Sequence, residues 1–207
     1  MRTKVDLATW PRKEHFTFFN SFDEPYFSVN ADVDCTIAYQ RAKEQNVSFY
    51  LYYLYCAITA INAIDSFRYR VIDGEVFIYD QINVTHIVLR PNDTFGFGFV
   101  EFKPTLAEFI ADAQKETDRI LSTSGLDLSI PGDNIIHFSA MPGIKFTGLT
   151  HARSFSYKDS STKISVGKVT EVDGRRMMPV SIAVHHGLTD GVHVGRLINL
   201  FQEILDR

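Results

Sequence analysis

A pair of adjacent histidines near the C-terminal end is the feature of the sequence with the clearest chemical potential. His185 and His186 end a strongly apolar stretch, and the five residues 187–191 (GLTDG) separate them from an amphipathic segment. An imidazole can exchange a proton near pH 7, because the unperturbed pKa of histidine is about 6.5. A strand-to-helix junction is also where ligands of open α/β sheets tend to bind. The pattern therefore indicates a site of proton transfer.

Two other interpretations of the same segment have to be weighed. Asp190 lies near the start of the following helix, where the helix dipole favours a carboxylate, so the segment could be a capped helix with two satisfied histidines. It could also be part of a metal site. The sequence contains no H-E-x-x-H pattern and no further cluster of cysteine and histidine that completes a ligand set. We therefore predict no metal ion.

Length and charge limit the classes of partner. The chain has 207 residues, a net charge of −4 and a pI of about 6.0. No linker or repeat divides it, so we expect a single domain over 1–207. Because no basic stripe is present, nucleic acid and anionic membranes are not expected partners.

The cysteines and the apolar segments predict the compartment. Cys35 and Cys56 lie in apolar segments, and we expect both to be reduced and buried. The N-terminal residues show no apolar core of a signal peptide. The longest apolar run, 49–64, is too short and too polar to span a bilayer. We therefore expect a cytoplasmic protein.

The elements that must position the histidines follow from periodicity and turn signals. We predict helices over 48–65, capped by Ser48, and over 105–121, opened by a capping box of Thr105 and Glu108, and a third at the C-terminus. We predict strands over 27–34, 83–89, 94–102 and 134–140, and hairpins over 68–79 and 165–184 that turn at their Asp-Gly pairs. Because no G-x-G-x-x-G loop and no strict β-α-β alternation occur, the sequence predicts an α/β (α+β) two-layer sandwich, a mixed sheet with helices packed on it, rather than a Rossmann fold.

Several phrases of the sequence resemble the chloramphenicol acetyltransferases. The H-H-x-x-x-D-G pattern at 185–191 is shared with these enzymes and with the catalytic domains of dihydrolipoyl acyltransferases. Further phrases of the family occur in order at 10–16 (WPRKEHF), 93–95 (DTF), 138–142 (FSAMP), 164–168 (ISVGK) and 193–203 (HVGRLINLFQE). Together they cover almost the whole chain. The sequence is thus similar to a family of CoA-dependent acyltransferases.

The resemblance implies a role for each matching residue. His186 is expected to be the general base that takes a proton from the acceptor hydroxyl, which then attacks acetyl-CoA without an acyl-enzyme. Ser139 is expected to donate a hydrogen bond to the oxyanion, and Ser165 to support it in place of the family's Thr. Asp190 and Arg12 are expected to form a buried ion pair that fixes the loop of His186.

The resemblance also implies an assembly and an acceptor pocket. The family forms homotrimers with active sites between subunits. The expected acceptor pocket contains Phe19, Phe95, Phe97 and His137, and the chain departs from the family there. Phe19 stands where a Tyr is usual, Phe97 where a small residue is usual, and His137 where an Asn is usual; Gly143 replaces a Trp. The acceptor is therefore expected to be a small hydroxylated molecule, with chloramphenicol as one candidate, which would imply antibiotic resistance.

Three alternatives remain open at this point. The chain could be a non-catalytic relative that binds a ligand, an enzyme that uses a longer acyl-CoA, or a structural subunit of a larger complex. The sequence does not place the residues that contact CoA.

Overall fold

A mixed β-sheet forms the centre of the molecule. The computed structural model describes residues 1–126, 132–154 and 158–207. The strands are β1 (Arg2–Lys4), β2 (Tyr26–Asp34), β3 (Tyr69–Ile72), β4 (Glu75–Tyr79), β5 (Asn83–Leu89), β6 (Phe95–Val100), β7 (Ile135–Ala140), β8 (Lys163–Val166), β9 (Thr170–Val172) and β10 (Arg175–His185). The helices are α1 (Lys13–Phe19), α2 (Thr36–Glu44), α3 (Phe49–Asn62), α4 (Leu106–Leu121) and α5 (Gly191–Leu205), with a 3-10 turn at Asp65–Phe67.

The central sheet has the order β2-β10-β8-β7-β5-β6, and β9 pairs with the first half of β10. Strands β5, β7 and β8 run parallel, whereas β10 is antiparallel to both β8 and β2. The predicted mixed sheet is confirmed. The long strand β10 is buried along most of its length, because other elements cover both of its faces. Strand β10 ends at His185, so the histidine pair lies at the end of a strand that is paired on both sides.

Helices cover one face of this sheet. Helix α3 (FYLYYLYCAITAIN) is apolar on all sides and packs against α2, α4, α5 and the sheet, as a helix buried within a layer does. Helix α5 buries the stripe Val194, Leu197, Phe201 and Leu205 at helical spacing. These helices and the inward residues of the strands share one core. These helices do not cover the opposite face of the sheet, on which Ser139 and Ser165 lie.

A second, three-stranded sheet of order β1-β4-β3 was not predicted as a separate layer. Its hairpin turns at Asp73-Gly74, where φ values of 51° and 78° fit the turn that Asp-Gly favours. The side chain of Arg70 ties this sheet to β7. Its guanidinium is fully buried and donates to the carbonyl oxygens of Phe67, Tyr69, Asp133 and Ile135.

The structure confirms most predicted elements and corrects several boundaries. Helix α3 ends at Asn62 instead of 65, where the Asn62 amide bonds to the backbone of Ile82. Ser48 occupies the N-cap position of α3, but its side chain makes no cap hydrogen bond, so the prediction of a Ser48 cap was wrong. Thr105 does cap α4, accepting from the Glu108 amide.

The predicted continuous strand over 165–172 is broken into β8 and β9. The backbone at Ile144 packs against Gly167, where a Cβ would lie 2.7 Å from the Ile144 carbonyl oxygen. The amide of Lys168 donates to that same oxygen at 2.7 Å, so it is not free for the sheet. A close backbone approach thus interrupts the strand.

Both cysteines are free and buried, as predicted. Burial raises the pKa of each thiol to about 12, so neither is a reactive thiolate at neutral pH. Across the described ranges, no helix is both long and apolar enough to cross a bilayer.

Candidate active site

The imidazole of His186 is held between aromatic rings just beyond the end of β10. It stacks on Phe19 of α1 with ring centroids 3.8 Å apart and planes 15° apart, and it also contacts Phe27 of β2 at 4.5 Å. The backbone amide of His186 donates to the carbonyl of Pro25 at 2.8 Å. Nδ1 of His186 is buried and has no hydrogen-bond partner within the described part of the chain.

Arg12 and Asp190 fix the loop that carries His186. Nη1 of Arg12 donates to Oδ2 of Asp190 at 2.7 Å, and Nη2 donates to the carbonyl of His186 at 3.3 Å. The other carboxylate oxygen of Asp190 caps α5 and bonds to Nδ1 of His193 at 2.7 Å. Burial alone would raise the pKa of Asp190, but the bonds from Arg12 and His193 outweigh it and hold the pKa at about 2. The two side chains are 15% and 31% exposed, so the pair is half-buried in the single chain, not fully buried.

His185 has a different environment. It is 4% exposed, and its Nδ1 accepts from the amide of Gly187 at 3.2 Å. Burial, with a smaller contribution from Arg153, lowers the pKa of His185 to about 4. A Cβ at Gly187 would lie 3.1 Å from the His185 ring, which leaves little room for a side chain at this position. His185 is a neutral, packed residue of the strand end.

Ser139 and Ser165 lie side by side on the open face of the sheet. Ser139 of β7 is the register partner of Ser165 of β8, which in turn pairs with Ser181 of β10. We call these three residues the serine row. The hydroxyls of Ser165 and Ser181 are fully buried and have no partner among the described residues. An unsatisfied buried hydroxyl costs free energy, and is typical of a place where a ligand or water belongs.

A cavity of about 670 Å³ opens over Ser139 and Ser165 of this row, and we call it the serine cavity. Ser139, Ser165, Phe97 and His137 all line it, so four of the predicted site residues come together there. His137 is anchored by a 2.9 Å hydrogen bond between its Nδ1 and the hydroxyl of Thr85. Phe95 contacts Phe97 edge to face at 5.5 Å but does not line the cavity. The structure therefore brings one half of the expected acceptor pocket together.

Comparison with known proteins gives this arrangement its context. The family model described as chloramphenicol acetyltransferase matches residues 1–202. A chloramphenicol acetyltransferase of Proteus mirabilis is 30% identical over 98% of this chain and 94% of its own length. The chain belongs to the chloramphenicol acetyltransferase family.

Comparison with solved structures leads to the same family. A chloramphenicol acetyltransferase structure superposes with a TM-score of 0.92 at 30% identity, covering 99% of this chain and 100% of the other. The catalytic core of a 2-oxoacid dehydrogenase complex from Thermoplasma acidophilum shares the fold at a TM-score of 0.69 and 17% identity, covering 99% and 98% of the two chains. As a member of the chloramphenicol acetyltransferase family, the chain is an acyltransferase.

The two groups of site residues in this family member are far apart within one chain. Ser181 of the serine row and His186 are separated by five residues along and just past β10, which corresponds to about 16 Å at the rise of a strand. His186 and Phe19 lie beside the edge strand β2, whereas the serine cavity lies over β5, β7 and β8. A single imidazole cannot span that separation.

A second cavity, of about 750 Å³ and mostly apolar, is lined by residues of α3, β5 and the β8–β9 region. We call it the tyrosine cavity, after Tyr39, Tyr50 and Tyr53. Lys168 and Arg176 also line it. Ile87 lines both cavities, and Ala140 lines this one while its neighbour Ser139 lines the other. The two cavities therefore approach each other at the end of β7.

Sequence reasoning missed the charged residues of the serine cavity. Lys163 and Asp159 form an ion pair there, and Arg153 and His151 also line the cavity. These residues precede or begin β8 in a stretch that reads as a polar loop, so no periodic signal marked them. Their position became visible only once β8 was placed beside β7.

Proposed function

We propose that this acyltransferase transfers the acetyl group of acetyl-CoA directly to a hydroxyl of a small acceptor, with His186 as the general base. The observation that supports this most is the fixed imidazole of His186, which is stacked on Phe19 and anchored through its carbonyl to Arg12. A base for this reaction must be held within hydrogen-bond reach of the hydroxyl that it deprotonates. We infer that Nε2 accepts that proton, because Nδ1 is buried.

We propose that Ser139 and Ser165 of the serine row stabilise the oxyanion. The attack of an alkoxide on a thioester places negative charge on the carbonyl oxygen, and a preorganised donor lowers the barrier. The Ser139 hydroxyl lines the serine cavity at the end of β7 and is the expected donor. Ser165 lies next to it with an unpartnered hydroxyl, which can hold a water or support the same oxygen.

We propose that the active site forms between two copies of the chain, as a homotrimer would arrange it. The separation of about 16 Å along β10 supports this, because the base and the oxyanion donor must both contact one reacting centre of only a few ångströms. Symmetric contacts in a closed ring would bring His186 of one copy to the serine cavity of the next. Phe18 and Phe22 beside His186 are 60% and 44% exposed, an apolar surface that such a neighbour would cover.

We propose that the tyrosine cavity receives acetyl-CoA. Its apolar walls suit the pantetheine arm, and Lys168 and Arg176 would meet the phosphates. The thioester would then arrive at the end of β7 from the helical side of the sheet, and the acceptor from the open side. Among the described residues, no cluster of His, Cys, Asp and Glu could hold a metal ion. The prediction that the reaction needs no metal remains a prediction.

Chloramphenicol is the first acceptor to test, because the relatives carry its name. If the chain acetylates it, a role in antibiotic resistance and a cytoplasmic location follow naturally, since acetyl-CoA is available there. We propose that residues 1–207 act as a single domain in this role.

The test is the release of free CoA thiol from acetyl-CoA in the presence of chloramphenicol, with the product identified by mass. Wild-type protein is expected to turn over, and His186→Ala is expected to lose about 10²–10⁴-fold in kcat. His15→Gln, an exposed histidine on α1, is the matched control and should be unchanged. Equal rates for wild type and His186→Ala would refute the assignment of the base. If none of a broad set of alcohols supported thiol release by the wild-type protein, the chain would not be an O-acetyltransferase.

A further inference from the structure

The charged groups at and behind the serine cavity offset one another. Lys163 pairs with Asp159 and Arg153 with Glu24, and the carboxylates of Asp133 and Asp159 act on the charge of the buried Arg70. Neither sign of charge is therefore left in clear excess. Neutral hydrogen-bonding groups are the features of the cavity that can then distinguish one acceptor from another.

His137 is a neutral group whose hydrogen-bond state follows from its neighbours. Its Nδ1 lies 2.9 Å from the hydroxyl of Thr85, the residue opposite it on β5. That hydroxyl has one hydrogen, which it donates to the carbonyl oxygen of Ile136 at 3.3 Å. Thr85 is therefore the acceptor in its bond with His137, and Nδ1 carries the ring hydrogen.

The second ring nitrogen of His137 is then a hydrogen-bond acceptor. Burial, with a smaller contribution from Lys163, lowers the pKa of His137 to about 4, so the ring is neutral at pH 7. A neutral imidazole has one protonated nitrogen and one accepting nitrogen. Nε2 makes no hydrogen bond to the described residues, and His137 lines the serine cavity. An unpaired acceptor is thus presented to the molecule that fills the cavity.

The spacing of His137 and Ser139 limits the shape of that molecule. The two residues are two positions apart on β7, so their side chains leave the same face of the sheet roughly 7 Å apart. Under the proposed function, the reacting hydroxyl lies close to Ser139. A group that donates to Nε2 of His137 must therefore belong to another part of the same acceptor.

We propose that His137 determines acceptor specificity, because its Nε2 accepts a hydrogen bond from a second hydroxyl of the acceptor. The natural acceptor is then a diol or polyol with two hydroxyls separated by roughly 5–7 Å. The inference rests on the proposed function, which identifies the serine cavity as the acceptor site. An acceptor with an ether or a methyl group in place of the second hydroxyl leaves Nε2 unpaired and is used less efficiently.

The experiment compares three acceptors of nearly the same shape, which are 1,3-benzenedimethanol, 3-(methoxymethyl)benzyl alcohol and 3-methylbenzyl alcohol. The methyl ether keeps an oxygen at the second position but has no hydrogen to donate, so it reports the direction of the bond. After correction for the two equivalent hydroxyls of the diol, its kcat/KM is expected to be roughly tenfold higher than that of either analogue, as one hydrogen bond allows. Equal use of the diol and the ether would overturn the proposal.

Variants at the same position assign the preference to His137. His137→Phe keeps a ring in the cavity but removes Nε2, and should reduce the preference to less than about twofold. His137→Gln offers an amide oxygen as acceptor and should restore part of the preference. Phe97→Leu is the matched control, because it changes the shape of the same cavity without removing a polar atom, and it should change kcat/KM for the three acceptors by similar factors. A preference that persists in His137→Phe would assign the second hydroxyl to another acceptor, such as Asp159, and would overturn the proposal.

A second measurement does not depend on acyl transfer. The ¹⁵N resonances of the His137 ring, assigned by comparison with His137→Gln, show which nitrogen carries the hydrogen. Nδ1 is expected to be protonated at pH 7, and the Nε2 resonance is expected to shift when the diol is added but not when the ether is added. A hydrogen on Nε2, or no response to the diol, would overturn the proposal.

The two measurements separate this inference from the proposed function. If the protein acetylates none of the three compounds and no other alcohol, the proposed function fails. A shift of the Nε2 resonance by the diol alone would in that case still support the hydrogen bond from the second hydroxyl to His137. Acetyl transfer without a preference for the diol would leave the proposed function in place and overturn the inference.

Discussion

The His186 region and the serine cavity are built in opposite ways. His186 stacks on Phe19, and Arg12 bonds both to the carbonyl of His186 and to the carboxylate of Asp190. The serine cavity is lined by residues of four strands, β5, β6, β7 and β8, and the hydroxyl of Ser165 in it has no partner among the described residues. The first region is complete in one chain, whereas the second is shaped to receive something else.

That difference indicates where the chemistry and the specificity reside. A general base must be held rigidly, and Arg12 and Phe19 contact His186 directly although they lie far from it in the sequence. The cavity has to present hydrogen-bond donors at the end of the sheet, and the other residues that line it can change with the acceptor. Lys163, Asp159 and Arg153 are among those other residues. Variants that change only one of the two regions can therefore test this difference.

The largest effect beyond His186 itself is expected at Ser139. Ser139→Ala should lower kcat about 10²–10³-fold with little change in KM, because the lost donor acts mainly in the transition state. Steady-state kinetics of thiol release measure both constants. Ser181→Ala is the matched control: it belongs to the same row but does not line the cavity, and it should keep full activity. Equal losses in the two variants would mean that the row is structural.

A smaller effect, on stability, is expected at Asp190. Asp190→Asn keeps an N-cap acceptor for α5 but removes the ion pair with Arg12, and should lower the free energy of unfolding by about 2 kcal/mol, between surface and buried pairs. Asp190→Ala should cost about 1 kcal/mol more, because the cap is lost as well. Urea denaturation at fixed protein concentration measures both. If the two variants were equally stable, the cap would contribute nothing.

The smallest effect is the contribution that a single buried histidine makes to the dependence of stability on pH. His86, His137 and His185 have pKa values lowered to about 4 by burial, so they remain neutral in the folded chain while the unfolded chain binds protons below pH 6.5. Stability should therefore fall as pH decreases from 7 to 5, by about 1–2 kcal/mol for each histidine. His137→Gln should weaken this dependence, and His15→Gln should leave it unchanged. The midpoints of urea unfolding at pH 7 and pH 5 measure this change. If the change in stability between the two pH values were the same in His137→Gln as in wild type, the prediction would be contradicted.

The sequence predicted the elements that have periodic apolar residues and the hairpins that have an Asp-Gly turn. Helices α3, α4 and α5 show apolar stripes or uniform apolarity, and the Asp-Gly pairs mark both hairpins. Helix α1 was missed, because its seven residues bury only Phe16 and give no periodic signal. Strand β1 was missed because its three residues are all exposed, so that its pairing with β4 leaves no alternation in the sequence.

For the site, family phrases predicted individual residues but not their distribution in space. His137 and Phe97 lie together in the serine cavity, whereas Phe19 stacks on His186 at the other end of β10. Such a separation depends on strand order and register, which no local pattern encodes. Arg70 was missed for the same reason, since its four carbonyl partners include Tyr69 of one sheet and Ile135 of the other.

We propose that the base and the oxyanion donor come from different copies of the chain, and a complementation experiment tests this directly. His186→Ala and Ser139→Ala, each inactive alone, are co-expressed with different tags, and the mixed oligomers are purified through both tags. If sites are shared between neighbours of a trimer, each mixed trimer has one site with both residues intact, so thiol release should recover to about a third of wild type. Mixed oligomers as inactive as the two parents would contradict the shared site and require both residues to act within one chain.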